Sequence, residues 1–198
     1  LGVAYDFAGT PDVQASVRDL VTRLLDFLRG HNWIVVMPDG HVTNTFDVGT
    51  MGKDGYVEDF LKDILPYVEK NYRVTANRAN RAIAGLSMGG AQTLSIALPH
   101  LEMFSHIGVF SSGLFNGADD PLVKTNLKAL DNPALKKDLK VFWTGIGKND
   151  SLAMPANDAM LKVLKDHGFK VDSHTTAGAH DWVNWQNYLH EFTPLLFK

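Results

Sequence analysis

The run Gly85-Leu86-Ser87-Met88-Gly89 lies between an apolar stretch, Ala82-Ile83-Ala84, and a helix-period stretch from Ala91 to Leu98. Few architectures accept that combination. It matches the pattern G-x-S-x-G, in which a serine sits on a sharp turn from strand to helix. Such a turn holds the serine in a strained backbone conformation and needs small neighbours so that strand and helix can approach closely. Gly85 and Gly89 are expected to permit that approach, and Gly90 and Ala91 extend the small surface. A glycine-rich turn that merely packs a helix on a strand would carry the same letters. A strand before it and a helix after it favour the more specific reading.

The rest of the chain alternates between the two periods, which argues for one α/β domain over residues 1–198 with a mainly parallel sheet and helices on both faces. Thr10 to Gly30 reads as a helix, with Pro11 suited to its first position and Val17, Leu20, Val21, Leu24, Leu25 and Leu28 along one stripe. Trp33 to Met37 reads as a buried strand running into the turn Pro38-Asp39-Gly40. Thr43 to Gly55 reads as a surface loop. Tyr56 to Tyr72 reads as a helix that Pro66 should kink, since proline removes a backbone donor. Ala82–Ala84, Ile107–Phe110, Val141–Thr144 and Lys170–Thr176 are the further strand candidates, the last an edge strand. Ala91–Leu98, Ala156–His167 and Trp182–Leu196 are the further helices. Trp182, Trp185, Tyr188, Leu189 and Phe192 recur at helical spacing in the last of them.

A serine hydroxyl is a weak nucleophile at neutral pH and needs a base. Eight histidines compete. His31 and His41 precede the serine. His100 and His106 bracket a short connection, and His167 suits the end of a helix. His174 falls in a strand and His190 in the last helix. His180 lies in Ala177-Gly178-Ala179-His180-Asp181-Trp182, a loop between the last strand and the last helix. A triad in the chain order Ser, acid, His would place its base there.

The acid should stand at the carboxyl end of a strand between Ser87 and His180. Asp150, after the strand Val141–Thr144, fits. Asp119 and Asp120 read as turn residues, Asp158 and Asp166 as helical, and Asp172 as part of an outer strand. Asp138 precedes its strand, and Asp181 adjoins His180 too closely. Asp150 as a plain Asx-turn residue is the competing reading. The N–H of Met88, at the start of the helix after Ser87, is the natural first donor to an oxyanion.

Composition closes other routes. No cysteine is present, so disulfides, thiolate metal sites and a cysteine nucleophile are excluded. The net charge is -3 and the basic residues are scattered, which argues against a nucleic-acid partner. No apolar run is long enough to span a bilayer, and the chain opens at Leu1-Gly2 with no initiator Met and no signal-like segment, which reads as a start inside a longer reading frame or a processed product. Serine chemistry of this kind needs no metal and no organic cofactor. The oligomeric state is left open.

With these residues assembled, the chain resembles the feruloyl and acetylxylan esterases of carbohydrate esterase family one. These are α/β-hydrolase-fold enzymes related to the esterase D group and the mycobacterial mycolyltransferases. The matching stretches are Val35 to Gly40, Asp63 to Glu69, Asn80 to Gly90, Gly145 to Asp150, and Gly178-Ala179-His180-Asp181-Trp182 to Trp185. The resemblance implies a catalytic triad of Ser87, Asp150 and His180. It also implies feruloyl or acetyl esters of a plant cell-wall polysaccharide such as xylan, and a secreted or periplasmic location.

Phe115, Asn116 and Trp182 or Trp185 would then stand near a bound ring, although buried packing is the commoner role for both tryptophans. The family's His-Gly type motif, whose loop supplies the second oxyanion donor, has no counterpart in Leu1 to His31. Either the N-terminal strands lie outside this chain or Ala8-Gly9-Thr10 supplies a substitute N–H. Losing one donor lowers turnover by ~10²–10³-fold. The rival readings are an acyltransferase on the same fold and a hydrolase-fold binding module with impaired catalysis.

Overall fold

The computed structural model describes residues 15, 22, 31–40 and 55–198. The chain divides into two compact units, 1–36 and 37–198. In the first, Ala15 and Thr22 are helical, and the rest of the expected helix over Thr10 to Gly30 lies outside the described residues. So do Ala8-Gly9-Thr10, His41 and all of the Thr43–Gly55 loop except Gly55, which is in a turn.

The second unit is built on four strands: β1 (Ala82–Leu86), β2 (His106–Phe110), β3 (Val141–Gly147) and β4 (Asp172–Thr176). They lie in sequence order and every pair is parallel. The register aligns Leu86 with Phe110, Phe110 with Gly145, and Gly147 with Thr176. All four carboxyl ends therefore open onto one rim, where ligands of open parallel sheets bind.

Two helices link strands across the sheet, α3 (Met88–Ala97) from β1 to β2 and α7 (Met154–Asp166) from β3 to β4. Both bury their apolar sides in one cluster with Ile107, Val109 and Phe142, through Leu94, Ile96, Met160 and Leu164. Successive crossovers of one hand that step in one direction leave their helices on one face. Tyr56 and Phe60, ahead of β1 in the chain, join the same cluster. The alternate strand residues, Phe110 and Trp143, point the other way. There they meet Trp185, Tyr188 and Phe192 of α8 (Trp182–Phe192). Helices thus cover both faces of a strand set whose β2 is buried throughout, as a parallel sheet requires. Each of these large side chains contributes ~1.5–3 kcal/mol through burial.

Between β2 and β3 run three short helices, α4 (Pro121–Thr125), α5 (Leu127–Leu130) and α6 (Pro133–Lys137). Asp120 and Asn132 cap α4 and α6, accepting from the N–H groups of Leu122 and Ala134. His167 ends α7, where its Nδ1 lies 2.6 Å from Asp131 Oδ1.

Three expectations change. Residues Trp33 to Met37 form no strand, and Ile34 and Val36 are exposed. A short apolar run becomes a buried strand only where a neighbouring strand pairs with it, and among the described residues none of the ladders includes it. The helix over Tyr56 to Tyr72 is three segments: α1 (Tyr56–Asp59), a π-helical turn (Phe60–Ile64) and α2 (Leu65–Asn71). Pro66 stands at the start of α2, so the wide turn ahead of it absorbs the missing donor and the clash that a sharp kink would otherwise relieve. The final helix stops at Phe192, and a 3₁₀ turn (Thr193–Leu195) carrying Pro194 follows it.

At the opposite rim, His106 opens β2, buried to 2% exposure. Its Nδ1 lies 2.7 Å from Ser105 Oγ, and its Nε2 accepts the Phe197 N–H at 3.2 Å. The Phe197 donor assigns a neutral ring with the proton on Nδ1. Burial, helped by Lys140, pushes its pKa from 6.5 down to about 4. The native state thus binds fewer protons than the unfolded chain between those values. This contribution is therefore complete above pH 6.5 and is lost as the pH falls toward 4. Urea midpoints measured at pH 7.5, 6 and 5 should decline across that window, and His106→Gln should flatten the decline. Equal slopes in the two proteins would remove His106 as the cause.

Candidate active site

Ser87 occupies the turn between β1 and α3 with φ 51° and ψ -118°. A non-glycine residue there is strained by about 1–3 kcal/mol and must be held by its surroundings. Its own N–H donates to Phe110 O at 2.9 Å, and its carbonyl accepts from Gly90 and Ala91 at 3.0 and 3.2 Å. The glycines divide the work differently from the sequence expectation. A methyl on Gly85 would stand 2.1 Å from Gly89 O, and one on Gly90 would stand 2.5 Å from Ser112 Cβ. A methyl on Gly89 would meet nothing within 4 Å. Gly85 is the residue whose missing side chain lets β1 and α3 close, Gly90 makes room for Ser112 after β2, and Gly89 does neither.

The helix α3 starts at Met88, so the Met88 N–H has no intrahelical acceptor and lies next to the serine. Gln92, one turn on, donates to Gly40 O at 2.8 Å and ties the Pro38-Asp39-Gly40 stretch, which forms no regular turn, to this helix. After β2, Ser111 also has positive φ, 46°, and its N–H donates to Gly145 O at 2.8 Å. The hydroxyls of Ser111 and Ser112 are buried without a hydrogen-bond partner among the described residues.

His180 Nε2 lies 2.9 Å from Ser87 Oγ, and His180 Nδ1 lies 2.9 Å from Asp150 Oδ2. The structure therefore joins three residues distant in the chain into one hydrogen-bonded line. Asp150 is 1% exposed and its other oxygen, Oδ1, accepts the Ala153 N–H at 3.0 Å. The turn role and the histidine contact that competed in the sequence reading belong to the two oxygens of one carboxylate. His180 keeps part of its ring open to solvent, and the Trp185 ring meets it edge-on at 5.0 Å.

Trp185 is itself buried and stacks edge-on with Trp182 at 5.1 Å. Phe115 and Asn116, by contrast, are exposed on the loop after β2. Among the described residues, no set of three or more His, Cys, Asp or Glu side chains is arranged to hold a metal ion.

Sequence reading passed over the residues that support the histidine loop. Asp181 caps α8, accepting from Asn184 N–H through Oδ1 and from Ala179 N–H through Oδ2, both at 3.0 Å. An aspartate just before a helix-period run was a readable capping signal. Asn184 and Thr176, both hydrogen-bonded beside that loop, had none.

Comparison with known proteins places the chain in a family. Residues 22–196 match the model of the Esterase family, described as "Putative esterase". The chain belongs to this esterase family. Over 170 residues the chain is 31% identical to the endo-1,4-β-xylanase/feruloyl esterase of Xylanibacter ruminicola, covering 84% of this chain and 21% of that protein. It is 24% identical over 196 residues to an acetyl esterase of Caldicellulosiruptor saccharolyticus, covering 84% of this chain and 73% of the relative.

A solved ferulic acid esterase superimposes with a TM-score of 0.56 at 29% identity, over 71% of this chain and 60% of the other. A CE1 ferulic acid esterase from the anaerobic fungus Anaeromyces mucronatus gives 0.62 at 22% identity, over 82% and 61%. With the parallel sheet and its helices, these likenesses identify the α/β-hydrolase fold. The chain spans only 21% of the length of the Xylanibacter relative.

Proposed function

We propose that this esterase hydrolyses acyl esters, feruloyl or acetyl, carried by a plant cell-wall polysaccharide such as xylan, through a Ser87–His180–Asp150 triad. The observation that carries the reading is the continuous line from Ser87 Oγ through the imidazole to Asp150, 2.9 Å at each step. The names of the xylanase/feruloyl esterase and acetyl esterase relatives support the substrate class.

The chemistry follows from the geometry. Ser87 Oγ attacks the ester carbonyl as its proton passes to His180 Nε2. Asp150 keeps Nδ1 protonated and stabilises the imidazolium. The Met88 N–H is the first donor to the oxyanion, and a second donor is expected from outside the described residues. The alcohol leaves with the proton from Nε2. Water then attacks the acyl-enzyme, giving its proton to His180, and the acid departs as Ser87 recovers its hydrogen. A polymeric substrate of this kind is met outside the cytoplasm, in keeping with a secreted or periplasmic enzyme.

The test is a panel of an aryl acetate, methyl ferulate and acetylated xylan, run beside labelling by a fluorophosphonate. Release of ferulate or acetate with one label per chain, on Ser87, is the expected result. A folded protein that takes up no label would end the triad reading. Labelling without release from any ester would end the substrate reading alone.

A further inference from the structure

His180 has no regular secondary structure of its own. It stands on the loop between β4 and α8, yet its ring must hold two contacts of 2.9 Å in opposite directions. Something must fix the loop. Asp181 holds the Ala179 N–H against the helix cap, and the side-chain bonds that tie the loop back to β4 converge on one residue. Asn184, on the first turn of α8, is 4% exposed. Its Nδ2 donates to Ala179 O at 2.9 Å, the carbonyl immediately before His180. Its Oδ1 accepts from Thr176 Oγ1 at 3.0 Å, at the end of β4. One carboxamide thus joins the strand before the loop, the loop itself and the helix after it.

The directions of these bonds are set by chemistry. The Thr176 hydroxyl has a single proton, which goes to Asn184 Oδ1. The Tyr188 hydroxyl, 2.7 Å away, must therefore donate to Thr176. Burial raises the Tyr188 pKa, which keeps that donor protonated. The relay runs Tyr188, Thr176, Asn184, Ala179, and it leaves the amide of Asn184 only one orientation. The site is also shaped for this side chain. A methyl on Gly178, whose φ is +107°, would stand 2.5 Å from Asn184 Nδ2, and one on Gly147 would stand 2.9 Å from the same atom. Gly147 ends the strand leading to Asp150, and Asn149 N–H donates to Gly178 O at 2.9 Å. The acid loop and the base loop therefore meet at the Asn184 carboxamide.

We propose that Asn184 is a positioning residue of the site: its carboxamide, oriented by the hydroxyls of Tyr188 and Thr176, clamps the Ala179 carbonyl and so helps to set where the His180 imidazole stands. This rests on the triad reading above. Asn184 touches no reacting atom and acts only through His180. Its loss should slow every step that needs the imidazole and leave substrate binding alone. A displacement of the base by about 1 Å costs on the order of 10²-fold in rate.

The experiment compares wild type with Asn184→Ala by kcat and KM on an aryl acetate and by the rate of fluorophosphonate labelling. We expect kcat and the labelling rate to fall together by about 10²-fold, with KM within about twofold of wild type. Unchanged labelling by a folded Asn184→Ala protein overturns the proposal. So does a loss confined to KM.

If Asn184→Ala does not fold, the relay is tested one step back with Thr176→Val and Thr176→Ser. The valine variant should label about tenfold more slowly, and the serine variant, which keeps the hydroxyl, should label near the wild-type rate. Equal rates for the two overturn the proposal. Wild-type protein that itself takes up no label indicts the triad reading instead, so the two failures are separable.

Discussion

Ser87→Ala is expected to lower kcat by about 10⁶-fold on every ester the wild type cleaves, and to abolish fluorophosphonate labelling. The loss comes from chemistry and not from the fold. The hydrogen bonds that hold the turn belong to the backbone of residue 87. Its N–H reaches Phe110 O, and its carbonyl receives Gly90 and Ala91. Alanine keeps all three, and it suffers at φ 51° about as serine does. At the side chain, alanine removes the hydrogen bond to His180 Nε2. Thermal midpoints of wild type and variant should therefore agree within a few degrees, while progress curves separate completely. A variant that retained a rate within tenfold of wild type would require a different nucleophile, and the hydroxyls of Ser111 and Ser112, buried just after β2, would be the first to test.

The parts of this molecule that were legible in the sequence are those written locally. The β1-turn-α3 unit is carried by consecutive residues, because Gly85 removes a side chain where strand and helix touch. Even there the letters misled at Gly89, which satisfies the pattern but whose missing methyl meets nothing. The α8 stripe was equally readable, since Trp185, Tyr188 and Phe192 must face Phe110 and Trp143. Chain order pointed to residues 150 and 180, and the structure brings them to the serine. The parts that were not legible depend on partners far away in the chain. Trp33 to Met37 has a strand's composition, yet among the described residues no strand pairs with it. Asn184 is a polar residue inside an aromatic stripe, and its meaning lies in Thr176 and Ala179. Pro66 announced a break, while the π-helical turn that accommodates it has no sequence signature.

Asp150→Asn should cost about 10⁴-fold in kcat, more than its near-identical shape would lead one to expect. The reason is the second oxygen. Asp150 Oδ1 accepts the Ala153 N–H at 3.0 Å, and that group can only donate. An asparagine must therefore turn its carbonyl toward Ala153 and its NH₂ toward His180 Nδ1. A donor facing Nδ1 forces that nitrogen to accept, so the imidazole proton moves to Nε2. The nitrogen 2.9 Å from Ser87 Oγ then carries hydrogen and cannot take the serine's proton. The variant is a well-folded enzyme with its base in the wrong tautomer. Aryl acetate kinetics should show the deficit in kcat with KM little changed, and fluorophosphonate labelling should slow by a similar factor. If Asp150→Asn labels at the wild-type rate, the carboxylate does not set the tautomer of His180, and its role reduces to capping the turn at Ala153.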